Sequence, residues 1–307
     1  MNIAIFGATG FVGSYLLNEL EKNNYNSQIL IRRGSEHKIK SSNNHKIIMG
    51  DISDKEAIRN TLEHAEAVIY TVGIIREFKH KNISFDSLHR DGVKNVIDEA
   101  KKLNINRFIL MSANGVKKNG AKYQTSKYLG ELELINSDLN WTIFRPSLIF
   151  GDSNGKEEFC AQLKKDMLSL PFPAPLFYKG LIPINAGQFK MSPIHVENVA
   201  SFFIKSITMD QTIHKTYELG GIETYTWKEI IRIISTAYGK NKWTIPAPIL
   251  PIKIIAFFLE RFKWFPITNG QLTMLLEGNT CNSQKTFEEF NIEAIKFDKK
   301  SLGYLSK

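Results

Sequence analysis

The sequence predicts an α/β protein organised around a doubly wound parallel sheet. Three features point there. Short apolar runs alternate with longer amphipathic stretches along roughly the first half of the chain; a glycine-rich turn joins the first run to the first helix; and the alternation breaks off just after Pro146. Strands separated by helical stretches build right-handed parallel βαβ units.

Asn2–Phe6 reads as a short buried strand, and Phe11 to about Lys22 as a helix with Val12, Tyr15, Leu16 and Leu20 on one face. Gln28–Ile31 and Lys46–Met49 are the second and third strands, and Asp54–His64 is helical with Asp54 near its start. Ala67–Thr71 is the fourth strand, Phe85–Leu103 a long helix, Arg107–Met111 the fifth strand, Tyr123–Ile135 a helix and Trp141–Arg145 the sixth strand. Leu170–Pro193, rich in Pro, Gly and aromatics, shows no clean period and is expected outside the sheet. Val196–Ile207 and Trp227–Tyr238 read as helices and Thr216–Leu219 as a strand, with a helical, irregular remainder. The expected division is a nucleotide-binding domain over 1–150, receiving about 194–222. The smaller region is 151–193 with 223–307.

The 307 residues, 43% hydrophobic and 23% charged, are those of an ordinary globular protein. The net charge of +9 is spread over both halves rather than gathered into a basic arm, and no nucleic-acid motif accompanies it, so no nucleic-acid partner is expected. A mildly basic face toward anionic lipid or phosphorylated ligands is compatible with it. Cys160 and Cys281 lack metal-ligand spacing and read as free thiols of a reducing compartment; no metal site is expected. With no visible signal peptide and no apolar run of about 20 residues, the expected location is cytoplasmic.

Gly7-Ala8-Thr9-Gly10-Phe11-Val12-Gly13 spaces its glycines as G-x-x-G-x-x-G, with a strand before and a helix after. In a dinucleotide-binding turn Gly7 permits the tight bend, Gly10 admits a pyrophosphate close to the backbone, and Gly13 lets helix and strand pack. Free N–H groups of the helix start would face the phosphates. Arg32 and Arg33 end the second strand about 20 residues on, where an acid would select the 2′-hydroxyl of NAD. Arginine suits a 2′-phosphate, so NADP(H) is favoured over NAD(H). Asp51, beside Ile52 after the third strand, reads equally as an adenine acceptor or as a helix-start acid. Val72-Gly73 closes the fourth strand, where a small residue would let the cofactor pass.

Tyr123 and Lys127 stand at i and i+4 on one helical face. A neighbouring ammonium would lower the phenol's pKa and make Tyr123 a usable acid/base. Spacing alone is weak, since Tyr238 and Lys242 match it too; position singles out Tyr123, at the start of the helix after the fifth strand, and leaves the second as a surface pair.

These residues resemble the short-chain dehydrogenase/reductase superfamily, in its extended or atypical branch, the NAD-dependent epimerase/dehydratase group with a Rossmann-type sheet. Beyond the glycine loop and Tyr123/Lys127, the resemblance rests on Arg145-Pro146-Ser147, Ile149-Phe150-Gly151 and Pro193 to Ala200, in the expected order over nearly the whole chain. Within that branch, Phe108–Gly115, Ser126–Glu131, Trp141–Gly151 and Pro266–Leu276 are most similar to bacterial relatives of the nucleotide-binding accessory subunit of mitochondrial complex I. The resemblance implies Tyr123 as acid/base, Lys127 also holding the nicotinamide ribose, Arg145, Pro146 and Ser147 near the nicotinamide end, and Ser112 or Asn114 positioning a substrate carbonyl. One departure stands out: Ala113 fills the slot where the family carries Ser or Thr, with Ser112 one place early and Asn114 as an alternative donor. His195 reads as fixing a loop rather than as catalytic.

Two functions follow as expectations. One is an NADP(H)-dependent oxidoreductase or epimerase acting on an apolar, lipid- or quinone-like substrate bound at the carboxyl edge of the sheet. The other is a non-catalytic nucleotide-holding scaffold or redox sensor on a respiratory or membrane complex, as the resemblance to the complex I subunit implies. Ile252 to Trp264 bears on both: it is apolar over most of its circumference, with Lys253, Arg261 and Lys263 at its ends. Such a helix is expected first to be buried or to line a greasy pocket. The second expectation, for about 246–265, is contact with a membrane surface.

Overall fold

The computed structural model describes residues 1–40, 42–78, 82–262, 265 and 267–306. In chain order the strands are β1 (Asn2–Phe6), β2 (Asn26–Ile31), β3 (His45–Met49), β4 (Ala67–Tyr70), β5 (Arg107–Met111), β6 (Asn140–Pro146), β7 (Ile149–Phe150), β8 (Ala174–Tyr178), β9 (Lys190–Met191), β10 (Ile194–His195), β11 (Lys215–Leu219), β12 (Tyr225–Thr226) and β13 (Thr244–Pro248). The α-helices are α1 (Phe11–Lys22), α2 (Lys55–Leu62), α3 (Gly92–Lys102), α4 (Lys122–Ile135), α5 (Phe159–Leu163), α6 (Val196–Ser206), α7 (Trp227–Ala237), α8 (Ile249–Leu259), α9 (Asn269–Glu277) and α10 (Gln284–Glu289). The chain forms two units: Met1–Pro146 with Val196–Glu218 and Glu288–Ile292, and Ser147–His195 with Leu219–Phe287 and Glu293–Lys307.

A seven-stranded sheet in the order β3-β2-β1-β4-β5-β6-β11 organises the first unit. β1 pairs in parallel with β2 and β4, and β5 with β4 and β6, so the doubly wound α/β architecture read from the sequence is the one observed. Central strands are buried on both faces: β4 throughout, and β1 from Ile3 to Phe6. This is why they read as unbroken apolar runs. The edge strand β3 leaves Ile47 and Met49 exposed. Asp54 caps α2 by accepting from the backbone N–H groups of Glu56 and Ala57 at 3.0 and 3.1 Å.

The long helix expected from Phe85 to Leu103 is divided. Ser87–Asp91 forms a π-helical turn ahead of α3. Neighbouring elements fit closely around it. The Tyr70 hydroxyl donates to the Leu88 carbonyl at 2.6 Å. Side chains are excluded at two points: a Cβ on Gly92 would stand 2.4 Å from that hydroxyl, and one on Gly130 would stand 2.0 Å from the His89 carbonyl. The wide turn thus packs closely against Tyr70 and α4.

In the second unit β8 and β13 run parallel, from Ala174 opposite Thr244 to Tyr178 opposite Pro248. Leu170–Pro193 thus lies outside the main sheet, as expected, but is not free of strand structure. Two prolines in Thr244–Pro248 hide that strand from a pattern reading; a two-stranded ribbon tolerates them because few ladder donors are needed. Trp227, buried at the start of α7, donates its indole N–H to the Pro175 carbonyl at 2.9 Å. Tyr238 and Lys242 are not a pair: they donate separately to the carbonyls of Leu168 and Leu170, at 2.8 and 2.5 Å. His195 is buried with its ring edge-on to Phe150, as a loop-fixing residue would be.

One expectation is overturned at α8. The apolar helix is not buried: only Ile249 and Ala256 are, while Leu250, Ile254, Phe257 and Phe258 face solvent. A helix packed along one narrow face shields only that stripe, whatever residues fill the rest of its circumference. Lys263, Trp264 and Pro266, singled out from the sequence, lie outside the described residues.

Candidate active site

The first unit presents the glycine loop between β1 and α1. Gly7 has φ +104°, a conformation that side chains disfavour, and a Cβ there would stand 2.6 Å from Thr71 Oγ1. At Gly13 a Cβ would stand 2.2 Å from the Gly7 carbonyl oxygen. The N-cap of α1 is the exposed Gly10, which has no side chain to satisfy the first-turn N–H groups, so these are left to a ligand or water. Thr9 and Phe11 are half-buried at the loop's surface and Val12 is buried. Such a cradle, closed to side chains and open to an anion, fits a dinucleotide pyrophosphate. Gly13→Ala should lower stability by about 3 kcal/mol, because backbone rather than a flexible side chain blocks the new methyl. A denaturant melt showing an unchanged midpoint would refute this.

Arg32 and Arg33 follow the last residue of β2. Both are exposed, and neither is engaged in an ion pair among the described residues. Asp51 Oδ1 accepts from the backbone N–H and hydroxyl of Ser53 at 3.1 and 3.0 Å, while the cap of α2 is Asp54. The Ile52 side chain is buried in the core beside α3. Val72 packs partly against the same core. Gly73 is exposed, and a Cβ there would come within 3.1 Å of Lys127 Nζ and 3.4 Å of His89 Nε2.

Tyr123 and Lys127 both lie on α4, but among the described residues the Lys127 ammonium bonds backbone carbonyls rather than the phenol that the i, i+4 spacing implies. Lys127 is buried and donates to the Met111 carbonyl at 3.0 Å and the Val72 carbonyl at 3.5 Å. Burial pushes its ammonium down to about 8, against the opposing pull of Glu131. Burial also pushes the Tyr123 phenol up to about 12. The lowered phenol expected from the sequence is therefore absent: desolvation outweighs any help from an ammonium turned toward backbone carbonyls. Ser112, at the end of β5, is buried, and its hydroxyl has no hydrogen-bond partner among the described residues. An orphaned buried hydroxyl costs about 1–3 kcal/mol, a deficit that functional sites carry more often than scaffolds do. Asn114 binds its N–H to the Pro146 carbonyl at 2.9 Å, and its Oδ1 accepts from Gly115 at 2.9 Å.

Arg145 forms a bidentate pair with the buried Glu131, at 2.9 and 2.6 Å. Its charge is thereby committed inside the protein. Pro146 ends β6; Ser147 belongs to the second unit, where its hydroxyl donates to the Asn279 carbonyl at 3.0 Å.

Sequence reasoning missed His89. It sits in the π-helical turn, 1% exposed, and both ring nitrogens are used. Nε2 accepts from the Ile74 N–H at 3.2 Å, so the proton is on Nδ1, 2.8 Å from Ser126 Oγ, which in turn donates to the Tyr123 carbonyl at 2.9 Å. The ring is also edge-on to Tyr123 at 5.3 Å. His89 thus ties the end of β4 to the start of α4. No local pattern marks it; an odd residue count between Tyr70 and Gly92 is not legible as a wide turn.

Burial, assisted by the Lys127 charge, pulls His89 down to about 2. The unfolded histidine takes up a proton near pH 6.5 while the folded one does not, so stability falls as pH drops below that value. Between pH 7.5 and 5.5 His89 should account for a loss of about 1 kcal/mol. Urea melts of the wild type and His89→Gln, which retains an acceptor for Ile74, should differ by that slope; equal slopes would contradict it.

A family model described as NAD(P)H-binding matches residues 7–167. The chain is 26% identical over 296 residues to the 40 kDa subunit of mitochondrial NADH-ubiquinone oxidoreductase of Neurospora crassa, covering 94% of this chain and 74% of that protein. It is 25% identical over 271 residues to the ceramide reductase of Caulobacter vibrioides, covering 87% of this chain and 79% of that one. Among solved structures, MoeE5 in complex with UDP-glucose and NAD has the same fold, with a TM-score of 0.73 at 14% identity, over 100% of this chain and 97% of that one. The family match takes in the glycine loop, the end of β2 and both Tyr123 and Lys127: the chain belongs to the NAD(P)H-binding family, on a Rossmann-type sheet.

Proposed function

We propose that the protein is an NADP(H)-dependent oxidoreductase of the short-chain dehydrogenase type that reduces an apolar carbonyl compound. The observation that carries this reading is the grouping of Tyr123, a buried Lys127 and an orphaned Ser112 hydroxyl on α4 and the end of β5, in the unit that holds the glycine loop. When bound, the dinucleotide supplies the hydride. The backbone of Gly7 to Gly13 holds its pyrophosphate. Arg32 and Arg33 take the 2′-phosphate. Tyr123 keeps its proton at neutral pH and gives it to the substrate oxygen as charge develops there. Ser112 or Asn114 steadies that oxygen, and Lys127 exchanges a backbone carbonyl for the nicotinamide ribose. The apolar substrate class is supported by the similarity to a protein named ceramide reductase.

Titration with NADPH and NADH, read by reduced-nicotinamide fluorescence, tests the foundation of this reading. Tight NADPH and weaker NADH binding is expected; binding of neither would overturn it.

A second reading is a nucleotide-holding scaffold or redox sensor in contact with a respiratory complex. Lys127 bonded to Met111 instead of Tyr123, and Ala113 in the family's Ser/Thr slot, favour it. So does similarity to subunits named for NADH-ubiquinone oxidoreductase. It predicts cofactor binding with no turnover on any carbonyl substrate.

A further inference from the structure

The second unit carries an apolar surface of a kind soluble proteins seldom leave open. Along α8, Leu250, Ile254, Phe257 and Phe258 are 68%, 53%, 68% and 61% exposed, and their i, i+4, i+7, i+8 spacing is that of one helical face. The register of β8 on β13 extends it. Because Tyr178 lies opposite Pro248 in a parallel pair, the segment 179–184 and α8 leave the ribbon at the same end. That segment adds Leu181 at 99% and Ile184 at 79% exposed.

Charge says what this face meets. Within 179–184 and 249–262 the cations are Lys179, Lys253 and Arg261, and the one acid is Glu260. The Glu260 carboxylate accepts from the Asn269 N–H at 2.8 Å, whereas none of the three cations is ion-paired among the described residues. A two-fold contact with a second copy would set like charges against one another, since each side of such an interface presents the same patch. An apolar helix face flanked by cations suits an anionic bilayer, with the side chains among the acyl chains and the cations at the headgroups. No described helix is long and apolar enough to cross a membrane.

We infer that the protein docks on anionic lipid bilayers through the outer face of α8 and the neighbouring segment 179–184. Docking requires neither the dinucleotide nor Tyr123, so it stands or falls separately from turnover.

The test is co-sedimentation of the full chain with phosphatidylcholine vesicles, pure or containing one third phosphatidylglycerol. Sedimentation with the anionic vesicles is expected, weakening at about 0.5 M salt as the headgroup attraction is screened. Phe257→Ser/Phe258→Ser should weaken it at least about tenfold through lost insertion. Lys179→Gln/Lys253→Gln/Arg261→Gln should remove the preference for phosphatidylglycerol. These side chains carry little packing, so circular dichroism and thermal unfolding should match the wild type. Wild-type protein left in the supernatant with anionic vesicles would overturn the inference. So would a dimer in sedimentation velocity that the Phe257→Ser/Phe258→Ser variant splits, since a second copy would then be what covers the face.

Discussion

Tyr123→Phe is expected to reduce NADPH-dependent turnover of an apolar carbonyl compound by about 10²–10⁴-fold, the usual contribution of a positioned acid, while leaving NADPH affinity unchanged. The substitution removes one oxygen and keeps the ring that packs edge-on against Phe85 and His89, so the start of α4 should hold its place. Loss confined to turnover assigns the hydroxyl to chemistry. An active Tyr123→Phe enzyme would mean the proton comes from elsewhere, and a wild type that binds NADPH but reduces nothing would favour the scaffold.

Arg32→Ala/Arg33→Ala should have the second largest effect, on cofactor choice. A charge-assisted hydrogen bond is worth about 1.5–3 kcal/mol, or roughly tenfold to a hundredfold in affinity. Neither guanidinium has another partner to lose among the described residues, so the fold should be untouched. NADPH should weaken by that factor and NADH scarcely at all, so that the two bind alike. The preference should also shrink at high salt, the arginines being exposed. Unchanged discrimination in the double variant would remove these residues from the selector.

The sequence by itself determined the strands of the main sheet, their parallel arrangement and the glycine loop, because each rests on short-range requirements. A strand buried on both faces must be apolar throughout, as Ile3–Phe6 and Ala67–Tyr70 are. A βα turn as tight as this one leaves no room for a Cβ at Gly7 or Gly13. Three other features were decided only in the tertiary structure. His89 bonds Ile74 and Ser126 and lies close against Gly130, partners far from it in sequence, so its role has no local signature. Lys127 reaches the Met111 carbonyl at the end of β5 and the Val72 carbonyl just past β4; helical spacing puts two residues on one face but does not say what that face meets. Finally, an apolar circumference leaves open which face of α8 is covered. That depended on non-local partners, the second-unit core that takes Ile249 and the helix α9 that packs on α8, which leave Phe257 and Phe258 outside.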